Sequence, residues 1–393
     1  MATGFESYRL VDTALMARVQ QALLQSYFAD YEPAFLETPA GRSDVADHVD
    51  GRYNRCVDYV LPWLGRYLNL STADIVELGC GTGSSTAAFA QVARHVSGYD
   101  IHAPSVSAAR SRLDAMGLRN ADLHLVEPAQ LLGSLREKHS KGADVFLLYA
   151  VLEHQTPAER LETLRTGWEM LRPGGLLVVV DTPNRLVYFD AHTSLLPFFH
   201  LLPPELGLPY ASRSPRALFR DAMARVPAED GPITLTRWGL GASYHEVELA
   251  IGDCEPLLVG TGFEPEVLEM FPVNLEEELL RFYVEQTGVR VPAAFTRNTL
   301  NFVLRKGDNA ELISRRSAPP PARYLSVTAT SQAQHIQAQA ERIRELEQRL
   351  SAEPPLRHQL VDQLNSALKQ TPLHRQARKL VEWSMERVRR GSR

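Results

Sequence analysis

Cysteine is scarce in this 393-residue chain, with only three, Cys56, Cys80 and Cys254. They make no CxxC pair and no even framework, which argues against a disulfide scaffold or a cysteine zinc site and favours reduced thiols in a cytoplasmic protein. Basic excess is also lacking. The formal net charge of −5 argues against a general nucleic-acid binder, whose footprint would be basic. No apolar run reaches membrane-spanning length, and no basic-then-apolar segment opens the chain, so neither a spanning helix nor a secretory signal is expected. What remains is ordinary globular composition, 44% hydrophobic and 23% charged.

The organising stretch is Ile75-Val76-Glu77-Leu78-Gly79-Cys80-Gly81-Thr82-Gly83. Ile75, Val76 and Leu78 form a short apolar run suited to a buried parallel strand. Three glycines at alternate positions permit a tight turn with close ligand approach, and a helix is expected near Ser84-Ser85. A second strand, His95 to Tyr99, ends in Asp100, where a carboxylate suits ribose hydroxyls. A dinucleotide fold wants GxGxxG, whereas this loop reads GxGxG. Another nucleotide, or none, stays open on this loop alone.

Acid-x-G-x-G-x-G resembles motif I of the class I S-adenosylmethionine-dependent methyltransferases. That resemblance implies that Glu77, Gly79, Cys80, Gly81, Thr82 and Gly83 hold the amino-acid part of S-adenosyl-L-methionine. It puts Asp100, followed by Ile101, at the ribose, and Glu127 at the adenine, although Pro128 departs from the usual pattern there. Ala150-Val151-Leu152-Glu153-His154 resembles the segment after strand four of small-molecule methyltransferases, and Leu171-Arg172-Pro173-Gly174-Gly175 before an apolar strand is a further family signature. The likeness covers roughly Ser71 to Lys306. It implies an α/β fold, a doubly wound (Rossmann-like) seven-stranded sheet with a final antiparallel hairpin. Phe263 to Met270 and Thr299 to Arg305 are the hairpin candidates.

Strand and helix alternate as such a sheet requires. Helices are expected over Val11 to Tyr31 and Tyr53 to Leu68, the latter kinked or broken at Pro62, and a fifth strand over Leu176 to Val180. Thr156-Pro157-Ala158-Glu159 has the chemistry of a helix start. The expected organisation is a helical lid over 1–70 and a methyltransferase domain over 71–306 with a substrate-recognition insertion at 182–242. A linker over 307–330 and a C-terminal helical extension over 331–393 follow. The insertion is rich in aromatics and prolines, so order and a role in acceptor choice are expected. Its Thr182-Pro183-Asn184-Arg185, Asp190-Ala191-His192 and Leu196-Pro197-Phe198-Phe199 are similar to methyltransferases of bacterial surface-polysaccharide biosynthesis.

In the extension, Ile336, Ile343 and Leu350 recur every seventh residue. A homo-oligomer through a short coiled coil and a single solvated helix both fit. The last 21 residues hold seven Lys or Arg against two Glu. A basic amphipathic helix there suits peripheral contact with an anionic (inner-membrane) surface or a partner protein, and a solvated tail is the alternative.

Methyl transfer to a hydroxyl needs alignment and a group to remove the proton. His154 lies after strand four, at the sheet edge where ligands bind in open α/β folds. His192 stands near Asp190, which could orient it, and His245 sits in Ser243-Tyr244-His245-Glu246, which also matches a capping box. No metal is expected. The reading is an O-methyltransferase acting on a hydroxyl of a sugar, a polysaccharide or a related small molecule. An aromatic, polyketide or quinone acceptor is the alternative. A nicotinamide-dependent oxidoreductase would want Tyr-x-x-x-Lys, which is missing, and a tethering protein would rely on the tail.

Overall fold

The computed structural model describes residues 4–262, 280, 282–284 and 291–307. The heptad segment, the basic tail and the first hairpin candidate, Phe263 to Met270, lie outside the described residues.

In chain order the elements used below are α1 (Thr13–Gln25), α2 (the consecutive helical segments Pro39–Ala46, Asp47–Gly51, Arg52–Arg55, Cys56–Val60 and Leu61–Leu64), β1 (Asp74–Leu78), α3 (Ser84–Ala90), β2 (His95–Asp100), α4 (Ala103–Ala115), β3 (Ala121–Leu125), α5 (Leu131–Lys138), β4 (Ala143–Tyr149), α6 (Pro157–Met170), β5 (Leu171–Pro183), α7 (Pro204–Tyr210), α8 (Ala217–Met223), α9 (Gly231–Gly239), α10 (Tyr244–Ile251), β6 (Leu258–Gly260) and β7 (Thr299–Arg305). The strands form one sheet in the order β3-β2-β1-β4-β5-β7-β6. The first five are parallel, and β7 runs antiparallel to both β5 and β6. This is a seven-stranded, Rossmann-like α/β sheet with a final antiparallel pair. The partner of β7 is Leu258–Gly260, upstream of the expected Phe263 to Met270. Three residues are too short to display a strand period, which is why the sequence pattern passed over them.

Alternation along the central strands splits the core in two. Ile75, Val145, Leu147, Leu176 and Val178 pack with Val57, Leu61 and Phe89 on one face. Val76, Leu78, Phe146, Leu148 and Val179 pack with Trp168 and Phe302 on the other. The edge matters most for function. Leu78 pairs with Tyr99, so the tips of β1 and β2 lie side by side.

Three boundaries differ from the sequence pattern. Asp12 caps α1 by accepting from the amides of Ala14 and Leu15, and the helix stops at Gln25 rather than Tyr31. Pro62 does not break α2, because the π turn Cys56–Val60 just before it widens the backbone and makes room for the ring. β5 begins at Leu171, since Ala143 pairs with Leu171 and Val145 already with Leu176, so Arg172 to Gly175 bulge from the ladder.

The insertion leaves β5 and returns just before α10. Its two ends are tied together. Arg185 N donates to Ala242 O at 2.8 Å, and Ala242 N to Pro183 O at 2.9 Å. Between them it carries a small core of its own, with Leu196, Phe199, Phe219, Met223 and Leu235 buried together. Among the described residues no helix is long and apolar enough to cross a membrane.

Candidate active site

The loop after β1 is held from three sides. From β2, Tyr99 O accepts from Gly79 N at 2.7 Å and Cys80 N at 3.1 Å. Asp100 Oδ2 accepts from Gly81 N at 2.8 Å, and its Oδ1 from His102 N at 2.8 Å. From below, the buried Glu77 carboxylate accepts from Ser85 Oγ and from Thr86 Oγ1, the latter at 2.5 Å. From α4, the buried Arg112 donates to Thr82 O at 3.0 Å, to Val49 O at 2.8 Å and to His48 O, which ties the loop to α2. Gly81 (φ +50°) and Gly83 (φ +76°) adopt left-handed backbone that disfavours side chains. A Cβ on Gly81 would meet nothing within 4 Å, so open space lies over that glycine.

Burial pushes the Glu77 carboxyl up to about 7 against the pull of its two hydroxyl partners. Desolvation lowers the Arg112 guanidinium to about 10. The Cys80 thiol is pushed well up by burial, so it is inert packing rather than a nucleophile.

The loop opens into a cavity of about 510 Å³. Gly79, Cys80, Gly81 and Thr82 line one part of it, and α2 adds Asp47, Arg52 and Arg55. Asp47 accepts from Arg52 Nε and from an Arg55 guanidinium nitrogen, each at 2.8 Å. Tyr149, Ala150, Glu153 and His154 come from the end of β4, and Asp181 and Asn184 from the end of β5. Ala150 (φ +53°) and Asp181 (φ +56°) are non-glycine residues in left-handed backbone, a strain typical of functional sites. The insertion contributes Phe189, His192 and His200.

His154 and His192 meet here, with ring centroids 6.0 Å apart. His154 Nδ1 donates to Arg237 O at 2.9 Å, leaving Nε2 with a lone pair. His192 Nδ1 lies 3.0 Å from Thr193 Oγ1, which itself donates to Gly239 O. That chain fixes the same tautomer on His192. Burial lowers the proton affinity of His154, with the Arg160 and Arg237 charges adding to it. Burial and then His154 lower His192 to about 4. Both rings are therefore neutral at physiological pH.

Other residues singled out by sequence fall elsewhere. His245 is exposed, stacks on Tyr244 with centroids 3.9 Å apart and bonds Ser243 Oγ; it does not line the cavity. Ser243 and Glu246 form the capping box that starts α10, and this turns the histidine outward. Glu77, Gly83, Asp100, Ile101 and Glu127 are also not on the cavity wall. Glu77 and Gly83 shape the loop from behind, Asp100 holds it through Gly81, and Ile101 and Glu127 are exposed. Asp190 does not orient the His192 ring. Its carboxylate accepts from the amides of His192, Thr193 and Ser194 and pairs with His200 Nε2 at 3.2 Å.

Sequence reasoning passed over Glu153, His200 and Arg160. Glu153 stands beside His154 in the quoted segment, and burial pushes its carboxyl up to about 8. Arg160 is buried and donates to the carbonyls of Leu152, Gln155, Leu240 and Gly241 and to Glu246. Those contacts clamp the loop after β4 onto the end of the insertion.

Residues 76–177 match a family described as a methyltransferase domain. A probable S-adenosylmethionine-dependent methyltransferase of Mycolicibacterium smegmatis (strain ATCC 700084 / mc(2)155) is 30% identical over 127 residues, 32% of this chain. The chain spans 44% of that relative's length. Among solved structures, an rRNA methylase from Streptococcus thermophilus is 20% identical, with TM-score 0.26, over 30% of this chain and 65% of that one. SMU.776, described as a putative methyltransferase complexed with SAH, is 16% identical, with TM-score 0.26, over 30% and 33%. The matched stretch carries the glycine cradle and the strands from β1 into β5, so this part of the chain is similar to a methyltransferase domain.

Proposed function

We propose that the protein is an O-methyltransferase that moves the methyl group of S-adenosylmethionine to a hydroxyl of a sugar, a polysaccharide or its precursor. One observation carries this reading: a single cavity joins the glycine cradle to two neutral histidines, under a wall supplied by the insertion. The cradle suits the cofactor, because Gly81 leaves open space and its amide is already held by the Asp100 carboxylate. Gly79 to Gly83 would hold the amino-acid part, with Glu77 supporting them from behind. Asp100, followed by Ile101, would take the ribose, and Glu127 the adenine. The sulfonium supplies an activated methyl and a good leaving group. The chain's own residues must align the acceptor and exclude water. His154 and His192 each present an unprotonated Nε2, so either can receive the hydroxyl proton.

The aromatic insertion supports a sugar acceptor, whose C–H faces stack on rings, and Phe189 stands on the cavity wall. A flat aromatic, polyketide or quinone acceptor fits that wall by the same chemistry. Incubating the purified protein with cofactor and pools of each acceptor, then screening by mass spectrometry for the gain of one methyl, separates the two. No gain in any hydroxyl pool, with the cofactor bound, counts against O-methylation. The reading extends to the division into a lid over 1–70, a domain over 71–306, a linker and a tail. It also includes a cytoplasmic protein whose tail contacts a membrane surface, a partner or a second copy. Truncation after Lys306 tests the tail, since unchanged activity, membrane association and oligomeric state would remove its role.

A further inference from the structure

Glu153 Oε1 is fully buried and has no hydrogen-bond partner, although the residue faces a cavity lined with polar groups. The other carboxylate oxygen accepts from Thr182 Oγ1 at 3.3 Å. An unpaired buried acceptor is costly, so its persistence calls for an explanation. His154 Nε2 lies 3.9 Å from that oxygen. Among the described residues, Glu153, His154 and His192 each offer one ligand atom, and the three atoms all lie within 4.8 Å of one another.

Three further features bear on what these atoms do. Both histidines give Nδ1 to a backbone-anchored partner, Arg237 O for His154 and Thr193 Oγ1 for His192. That is the outer-shell arrangement that orients an imidazole and frees Nε2 for a cation. Second, the ligand set is two imidazoles and one carboxylate, which suits zinc, iron(II) or manganese and leaves positions open. Third, the anchors converge. Arg237 O, Gly239 O and Leu240 N all belong to residues 237–241, and Leu240 N donates to Glu153 O at 2.9 Å. One short stretch of backbone therefore holds all three ligands.

We propose that Glu153, His154 and His192 form a divalent transition-metal site at the acceptor end of the cavity. At bond lengths of about 2.1 Å, tetrahedral ligands lie about 3.4 Å apart, so the three atoms close by an ångström or so around the ion. The ion's role in transfer rests on the methyltransferase reading above; the site itself does not. In that role the acceptor oxygen sits on an open position. Its proton leaves to solvent, its lone pair forms the new O–CH3 bond, and the C–S bond breaks with its electron pair going to sulfur. The products are the methyl ether, S-adenosylhomocysteine and one proton, and no histidine has to take that proton.

The test uses the full-length chain stripped with a chelator. Zinc is titrated in by calorimetry, and cobalt(II) serves as a coloured stand-in. One equivalent should bind. Glu153→Gln and His192→Ala should each lose more affinity than Thr193→Val, which keeps every ligand but removes an anchor and should cost about 10- to 100-fold. His245→Ala, away from the cluster, should bind as the parent does. Melting curves check that each variant is folded. No binding by the parent at about 1 mM metal, the top of the useful affinity range, overturns the site. So does equal binding by folded Glu153→Gln and His192→Ala, or loss of binding in His245→Ala. A parallel titration with S-adenosylhomocysteine separates the two ideas. Ion without nucleoside upholds the site and sinks the methyltransferase reading; nucleoside without ion does the reverse.

Discussion

Adding one methyl group at Gly81 or at Gly83 probes the cradle in two distinct ways. Both glycines have positive φ, at which an L-residue pays roughly 1–2 kcal/mol in the folded state. Replacing glycine also restricts the unfolded chain, which offsets about 0.4–1 kcal/mol of that. At Gly81 nothing lies within 4 Å of the new Cβ, so the net loss of stability for Gly81→Ala is about 1 kcal/mol. At Gly83 the new Cβ would lie 2.8 Å from Ala109 Cβ and 2.9 Å from Ala109 Cα. Those are fixed atoms of α4, with no side-chain rotation to relieve them. Overpacking of this kind adds about 1–3 kcal/mol, bringing Gly83→Ala to about 3 kcal/mol. The order reverses for ligand binding. The methyl of Gly81→Ala projects into the open space where the amino-acid part of the cofactor should lie, and displacing it by a similar strain predicts roughly 10- to 100-fold weaker S-adenosylhomocysteine binding. Urea unfolding gives the first quantity and calorimetry the second. If Gly81→Ala binds like the parent, or unfolds as readily as Gly83→Ala, the ligand does not sit on this backbone and the cradle has been misread.

Glu77 ties stability to pH. Its folded value of about 7 lies above the ordinary 4.5, so the folded chain holds the proton more tightly, and the ligand-free protein loses about 3 kcal/mol as pH rises from about 4.5 through 7. Glu77→Gln should flatten that slope in urea unfolding at several pH values; an unchanged slope would show that Glu77 is not its source. Arg112→Met leaves the carbonyls of Thr82, Val49 and His48 without their donor and should cost about 3–5 kcal/mol, with weaker S-adenosylhomocysteine binding measured alongside. Asp190→Asn removes the charge that gathers three amides and His200, so methyl transfer should fall at least tenfold with loss of about 1–3 kcal/mol. Unchanged turnover would show that the 190–200 loop does not position His192.

What the sequence revealed about this molecule is largely what is local. The cradle was legible because strand, glycines and the acid at the next strand tip fall within one short unit whose chemistry is carried by backbone. The capping box at Thr156 and Glu159 was legible for the same reason, and the structure forms it. The partner of His192 was not. Proximity in sequence pointed to Asp190, but the loop folds so that Asp190 faces amides and His200, while the ring turns to Thr193. Arg112 and Arg160 were invisible because their partners lie far along the chain, at Val49 and Gly241. A buried arginine carries no sequence period that distinguishes it from one on a solvated helix face. Glu153 was masked by its neighbour: a glutamate beside a histidine reads as loop polarity until burial shows that one oxygen lacks a partner.

Changing Arg160 should show that the two ends of the cavity are independent. Its guanidinium is buried and satisfies carbonyls on both sides of one seam, Leu152 and Gln155 after β4 and Leu240 and Gly241 at the close of the insertion. The Nδ1 anchor of His154 and the Thr193 link to His192 hang from that same seam, at Arg237 and Gly239. The cradle draws nothing from it; its supports are Tyr99, Asp100, Glu77 and Arg112. Arg160→Met should therefore destabilise the fold by about 3–5 kcal/mol, because it removes the buried donor shared by the seam's carbonyls and Glu246 Oε1. In whatever fraction stays folded, the histidine end should loosen while S-adenosylhomocysteine binds within about twofold of the parent, a difference well under 1.4 kcal/mol. Turnover should fall far more than nucleoside affinity. Equal losses in both would mean that the cavity behaves as one rigid body, and that the insertion shapes the cofactor's seat as much as the acceptor's.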